Sequence, residues 1–182
     1  IYLLSVITQE GGNITASDIS FLAAIILLPS AIKLLFGMLS DKLGLKKIGR
    51  RRPWIVFPVL IAGSMWILLP FAVAAGNVLL IFTIIGFIIN TGVMMADTAM
   101  DGLILDICPK ARLGRVQGLV WGFRSIGMIG GGPILAFLVV AKIFTQVEST
   151  FVLLGILMII SAFLTILVKE PTEFLDVSIF DN

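Results

Sequence analysis

Five long apolar runs constrain this chain more than any other feature of its 182 residues. They cover residues 19–39, 54–75, 78–96, 118–141 and 151–168, and the third is predicted to continue as helix to residue 106. A run of about 20 apolar residues matches the hydrocarbon thickness of a bilayer. Because no water is present at that depth to satisfy backbone groups, each run must be helical. The sequence therefore predicts an all-α, polytopic transmembrane helix bundle.

The composition supports lipid as the solvent around these helices. Apolar residues make up 59% of the chain and charged residues 13%, and the mean hydropathy is +1.13. A soluble domain carries about a quarter charged residues, so this chain has too few polar groups to cover a water-facing surface. The net charge of +2 is too small to indicate a protein that binds nucleic acid.

The sequence also argues against several kinds of chemistry. A single cysteine, Cys108, and the absence of histidine exclude a disulfide framework and argue against Cys/His metal sites and histidine-based catalysis. The chain contains no pattern typical of a nucleophile–base pair, a metal-ligand set or a phosphate-binding loop. We therefore expect neither an enzyme nor a bound cofactor.

The two ends of the chain need a separate interpretation. The apolar stretch 1–7 is too short to cross a bilayer, and we interpret it as the outer end of a truncated first helix. Counted as span one, it makes the five long runs spans two to six of a domain over residues 1–169. Residues 170–182 are polar and acidic, and are predicted to be a cytoplasmic tail or the start of a central linker.

The basic residues predict the orientation of the bundle. Of the 13 lysines and arginines, all but Lys33, Arg124 and Lys142 lie in loops 40–53 and 107–117 or directly after span six. The positive-inside rule places these alternate loops in the cytoplasm. Each of these residues could act as a topology signal alone, or it could belong to a polybasic contact with anionic lipid.

The loop after span two carries the most specific motif. Residues 37–47 read GMLSDKLGLKK, which resembles the signature between helices two and three of the major facilitator superfamily. Gly37 would let a neighbouring helix approach closely, and Gly44 would permit a tight turn. The resemblance implies that Asp41 latches one conformation by pairing with Arg115 or with a residue of a second half. The alternative is a helix end with a solvated charge.

Three further stretches extend the resemblance, two of them to particular subfamilies. Residues 49–54, GRRRPW, resemble a motif of sugar-cation symporters and folate-biopterin-like carriers. Residues 97–102, DTAMDG, resemble helix four of muropeptide-permease-like and folate-biopterin-like carriers. The basic loop 109–118 resembles a stretch that is common after helix four in the superfamily, although Leu113 interrupts the pattern.

Four charged residues are predicted to lie inside the bilayer. Asp97 and Asp101 are four residues apart and share one helix face, roughly 14 and 8 Å inside the end of their helix. Ionisable groups at such depth usually face a cavity or one another, and paired carboxylates suit proton or cation binding. We predict a cluster of these two residues with Lys33 and Arg124. The alternative is simple pairing with basic groups at the cytoplasmic border.

Span five combines three glycines with a proline. Gly130, Gly131, Gly132 and Pro133 follow one another, and we expect them to provide a close-packing surface and a bend. Further bends are expected at prolines in spans two and three, which are Pro29, Pro58 and Pro70.

The resemblance implies a fold, a function and a set of partners. The chain is expected to be the N-terminal six-helix half of a carrier that moves a small polar solute by alternating access, coupled to protons or Na⁺. Its partners would be the lipid bilayer of the inner cell membrane, the solute and a second six-helix half on the same or another chain. The alternative is a non-transporting assembly or pigment-delivery factor of the same fold.

Overall fold

A computed structural model describes residues 15–42, 49–73, 77–141 and 147–168 of the chain. Within these ranges the fold is all-α. The α-helices are α1 (Ala16–Ala31), α2 (Lys33–Lys42), α3 (Arg52–Val73), α4 (Val78–Ile107), α5 (Leu113–Ile129), α6 (Leu135–Val140) and α7 (Val147–Ile166). A 3₁₀ turn, Lys110–Arg112, precedes α5, and a π-helical segment, Gly130–Ile134, joins α5 to α6.

These elements form five helices long and apolar enough to cross a membrane in the described part of the chain. They are Ala16–Lys42, Arg52–Ala72, Val78–Ile107, Lys110–Val140 and Glu148–Ile166. Each corresponds to one of the five apolar runs, and with the third run taken to residue 106 the ends differ by up to eight residues. The largest difference is at the start of span five, where the 3₁₀ turn Lys110–Arg112 leads into α5. The predicted span at residues 1–7, Gly44 and the tail 170–182 lie outside the described residues.

Span two is interrupted at Ile32, directly before Lys33. Ile32 has φ −98° and ψ 14° and separates α1 from α2. Pro29 lies three residues earlier, and its missing N–H and its ring disturb the backbone around it. On α4, Asn90 Nδ2 donates to the carbonyl of Ile26 at 2.6 Å, which ties α1 to its neighbour beside the proline. By contrast, α3 continues through Pro58 and Pro70 without interruption.

The core lies where α3 packs against α4 on one side and α7 on the other. Glycines set the closest approaches, because a Cβ on Gly92 would lie 2.6 Å from the Pro58 carbonyl oxygen and one on Gly155 would lie 2.6 Å from the carbonyl of Gly63. Span two packs on another side of α4. The buried apolar residues around these contacts include Ile55, Val59, Ala62, Leu69, Ile85, Ile89, Ala96, Ala99 and Ala162.

Span five packs more loosely than the others. No side chain of α5 is buried by the described residues. The packing surface predicted at Gly130, Gly131 and Gly132 has no partner among those residues, since nothing lies within 4 Å of where a Cβ would stand. The irregularity predicted at Pro133 is the π-helical segment, which forms because proline cannot donate the hydrogen bond to the carbonyl four residues earlier.

Candidate functional site

The structure brings together four charged side chains from three different spans. Lys33 begins α2, Asp97 and Asp101 lie on α4, and Arg124 lies on α5. Lys33 Nζ donates to Asp97 Oδ2 at 2.6 Å and lies 3.7 Å from Asp101 Oδ2. Arg124 Nη2 donates to Asp101 Oδ1 at 3.1 Å and also to Asp97 Oδ1. We call these four residues the charge cluster.

Helix geometry places all four members at a similar depth. Asp97 and Asp101 lie about 15 and 9 Å from the end of α4 at Ile107. Lys33 lies about 14 Å from the end of α2, and Arg124 lies about 16 Å from the start of α5. These helix ends lie on one side of the bundle, so all four members of the charge cluster lie about 9–16 Å from that side.

The charge cluster is electrically balanced but is not sealed. Two carboxylates face two cations, so each carboxylate is within reach of both a lysine and an arginine. The side chains of Lys33, Asp97, Asp101 and Arg124 keep exposed fractions of 35%, 21%, 35% and 24%. Each of the four side chains therefore keeps part of its surface uncovered in this structure.

Trp121 is a fifth member of this region that the sequence analysis missed. The Arg124 guanidinium carbon lies 5.0 Å from the centroid of the Trp121 ring, within the range of a cation–π contact. The residue as a whole is 59% exposed. The three-residue spacing places both side chains on one face of α5 and is the signal that could have identified it.

A second ionic network lies at the border of the membrane, at the ends of α2, α3 and α4. Arg51 donates from Nε to Asp106 Oδ2 at 2.7 Å, and its Nη2 lies 2.7 Å from Asp41 Oδ1. Arg50 Nη2 donates to the same oxygen of Asp106 at 2.9 Å. The guanidinium of Arg51 lies against Gly102, where a Cβ would collide with it. We call Asp41, Arg50, Arg51 and Asp106 the border network.

In this structure Asp41 has a partner that the sequence did not indicate, and the predicted latch with Arg115 or with a residue of a second half remains a prediction. Asp41 pairs with Arg51 and not with Arg115, whose side chain is exposed near the start of α5. Helix α4 packs against both α2 and α3. Arg51 lies directly before α3, so its side chain reaches the end of α2 and the end of α4. From the sequence, Arg50 and Arg51 are interpreted as topology signals or as part of a contact with anionic lipid, and Asp106 is given no partner.

Of the other predicted latch residues, Gly37 occupies a close contact. A Cβ on Gly37 would lie 3.1 Å from Thr98 Cγ2, so the glycine lets α2 approach α4 one turn from the charge cluster. Gly44 lies outside the described residues. The described ranges contain no group of three or more His, Cys, Asp or Glu side chains that could hold a metal ion.

Comparisons with known proteins agree with this architecture. The family model described as Major Facilitator Superfamily matches residues 1–177. A protein of Arabidopsis thaliana described as "Probable folate-biopterin transporter 7" is 26% identical over 155 residues, which is 80% of this chain and 33% of the relative. The chain thus spans about a third of that relative's length. No solved structure matches the chain significantly.

Proposed function

Because the chain belongs to the major facilitator superfamily, we propose that residues 1–169 are the N-terminal six-helix half of a secondary transporter for a small polar solute. The transporter lies in the inner cell membrane, and loops 40–53 and 107–117 face the cytoplasm. Transport proceeds by rocking of this half against a second half, with the solute site between them.

The charge cluster is the observation that carries this proposal. Charges inside a bilayer are expensive to maintain and are usually associated with solute or ion pathways. In this chain Lys33, Asp97, Asp101 and Arg124 meet, and all four stay partly exposed. The charge cluster joins three spans, and we infer that its exposed polar atoms also bind the solute or the coupling ion.

Balance within the charge cluster suggests how coupling works. A proton or Na⁺ that binds Asp97 weakens the hold of that carboxylate on Lys33 and Arg124. The released lysine or arginine then attracts an anionic group of the solute. The coupling ion and the solute therefore bind together, which is the thermodynamic requirement of symport.

The name of the plant relative suggests which solutes to test first. Folate and biopterin both contain a pterin ring, whose aminopyrimidine edge presents two N–H donors that one carboxylate can accept. The flat face of such a ring fits an exposed indole, and Trp121 lies beside Arg124. Asp101 and Trp121 are the residues that we assign to such a solute.

The border network is the conformational latch in this proposal. Arg51 and Asp106 keep only 10% and 17% of their side chains exposed, whereas Asp41 keeps 53%. We assign Arg51 and Asp106 to a fixed pair and Asp41 to the exchangeable partner. Asp41 leaves Arg51 when the cytoplasmic side opens, and Gly37 and Gly44 allow α2 and its loop to move closely past their neighbours.

The test is uptake of labelled folate and biopterin into vesicles that contain the full-length protein, with and without an imposed proton or Na⁺ gradient. Asp97→Asn and Asp101→Asn should abolish gradient-driven uptake. The matched control is Glu148→Gln, which removes one acid at the start of α7, outside the charge cluster, and should leave uptake unchanged.

Two results would contradict the proposal. Gradient-driven uptake that survives in both aspartate variants would remove the coupling role of the charge cluster. No movement of any polar solute above that of empty vesicles would favour a non-transporting assembly or delivery factor of the same fold.

A further inference from the structure

We propose that Lys110, Arg112 and Arg115 form a binding surface for the headgroup of an anionic phospholipid. We call these three residues the basic patch. It lies between α4 and α5, in the 3₁₀ turn and the first turn of α5. The proposal is independent of transport, because it needs only the membrane and the geometry of this loop.

The structure separates the two basic loops, which look alike in the sequence. In the first loop, Arg50 and Arg51 are neutralised by Asp106 and Asp41 in the border network. Their charge is satisfied within the protein. Among the described residues, no ion pair joins Lys110, Arg112 or Arg115 to a carboxylate. The three side chains of the second loop are therefore available to solvent or to an anionic group from outside the described residues.

Exposure and spacing make the basic patch available as a unit. All three side chains are exposed. Arg112 and Arg115 are three residues apart at the start of a helix and lie on one face, and Lys110 belongs to the turn directly before them. The first turn of α5 contains no acidic residue. Three adjacent cations with no counterion match a phosphate group with several acceptor oxygens.

Apolar side chains beside the basic patch favour a lipid over a soluble anion. Ile107, at the end of α4, is 42% exposed, and Leu119, one turn after Arg115, is 58% exposed. The surface therefore has a cationic part at the membrane border and an apolar part that continues into the hydrocarbon. A phospholipid has the same two parts in the same order, and each basic residue near an anionic surface contributes appreciable attraction.

The rival occupant is the acidic tail of the chain itself. Residues 170–182 include four acidic residues, which are Glu170, Glu173, Asp176 and Asp181. The tail also carries apolar side chains, among them Phe174, Leu175 and Phe180, so it could cover both parts of the surface. We commit to the lipid because the basic patch lies at the junction between two membrane-length helices, and the experiment separates the two occupants.

The experiment measures binding of phosphatidylglycerol and phosphatidylcholine to the detergent-purified full chain by native mass spectrometry. The parent protein should prefer phosphatidylglycerol. The variant Lys110→Gln/Arg112→Gln/Arg115→Gln should lose that preference by about a hundredfold, or about fivefold for each charge removed. The matched control, Lys42→Gln/Lys46→Gln/Lys47→Gln, removes the same charge from the other loop and should keep the preference.

Three outcomes would overturn the proposal. Equal losses in the two triple variants would show a diffuse charge effect, as expected for a topology signal alone. Equal binding of both lipids by the parent protein would remove the headgroup contact. If the parent protein showed no preference for phosphatidylglycerol and Glu170→Gln/Glu173→Gln/Asp176→Asn gained one only while the basic patch was intact, the tail would be the resident occupant.

Discussion

At the residue scale, the structure assigns each described intramembrane charge to a partner on another helix. Lys33 and Arg124 share the carboxylates of Asp97 and Asp101. This juxtaposition could be predicted because four-residue spacing and depth along a helix are properties of the sequence. The Arg51–Asp106 pair could not, because it depends on which helix ends meet in space.

The border network predicts unequal effects of neutralising its two acids. Asp106→Asn should lower the free energy of unfolding by about 3 kcal/mol, because it leaves two arginines without their most buried counterion. Asp41→Asn should lower it by less than about 1 kcal/mol, since its half-exposed carboxylate is well solvated. Denaturation of the purified protein in mixed micelles measures both. Equal losses would contradict the assignment of Asp41 as the exchangeable partner.

Gly102 provides a second prediction at this scale. A methyl group at this position would displace the Arg51 guanidinium from its place beside Asp106. Gly102→Ala should therefore destabilise the chain, although alanine is the better helix former by about 1 kcal/mol. Gly118→Ala on α5 is the matched control, because nothing lies within 4 Å of where its Cβ would stand. The unfolding temperature should fall for Gly102→Ala and should stay level or rise for Gly118→Ala. The reverse order would be inconsistent with the Arg51 contact.

At the element scale, run lengths predicted the spans but not their interruptions. Each apolar run became a membrane-length helix because the bilayer leaves the backbone no other way to satisfy its hydrogen bonds. The positions of prolines predicted the interruptions of helices less well. Pro29 lies beside the break at Ile32, whereas Pro58 and Pro70 lie within an uninterrupted α3. What a proline does depends on whether neighbouring groups, such as Asn90, support the disturbed backbone.

The close contact between α3 and α4 predicts that a larger side chain at this contact destabilises the protein. Gly92→Val should separate these helices, because the added atoms would meet the Pro58 carbonyl and Ala62. We expect a destabilisation of about 1–3 kcal/mol from overpacking. The measurement is resistance to heating in detergent, with Gly122→Val on the open face of α5 as control. Comparable melting temperatures for the two variants would argue against this contact.

At the scale of the whole molecule, the basic loops predict which side of the membrane each loop faces. Cys108 is the sole cysteine of the chain and lies in loop 107–117, half-exposed after α4. In intact cells, a membrane-impermeant thiol reagent should leave Cys108 unlabelled and should label it only after lysis. In a Cys108→Ser background, Asn77→Cys in the opposite loop should be labelled from outside. Labelling of both positions from one side would contradict the span count.

The charge cluster matters for the whole molecule because its ion pairs hold three spans together. The same pairs offset the cost of placing these charges in the bilayer. Removing Lys33 or Asp97 alone leaves one net charge in the membrane interior. Removing both leaves the balanced pair of Arg124 and Asp101, whose atoms are 3.1 Å apart. The effects of the two changes should therefore not add.

A double-mutant cycle on Lys33→Met and Asp97→Asn, read by unfolding in mixed micelles, tests this claim most directly. We predict that the double variant is more stable than the sum of the single losses implies, with a coupling of about 0.5–3 kcal/mol. The control cycle, Lys33→Met with Glu148→Gln, should show none. Additive losses in the Lys33–Asp97 cycle would contradict a shared, balanced charge cluster.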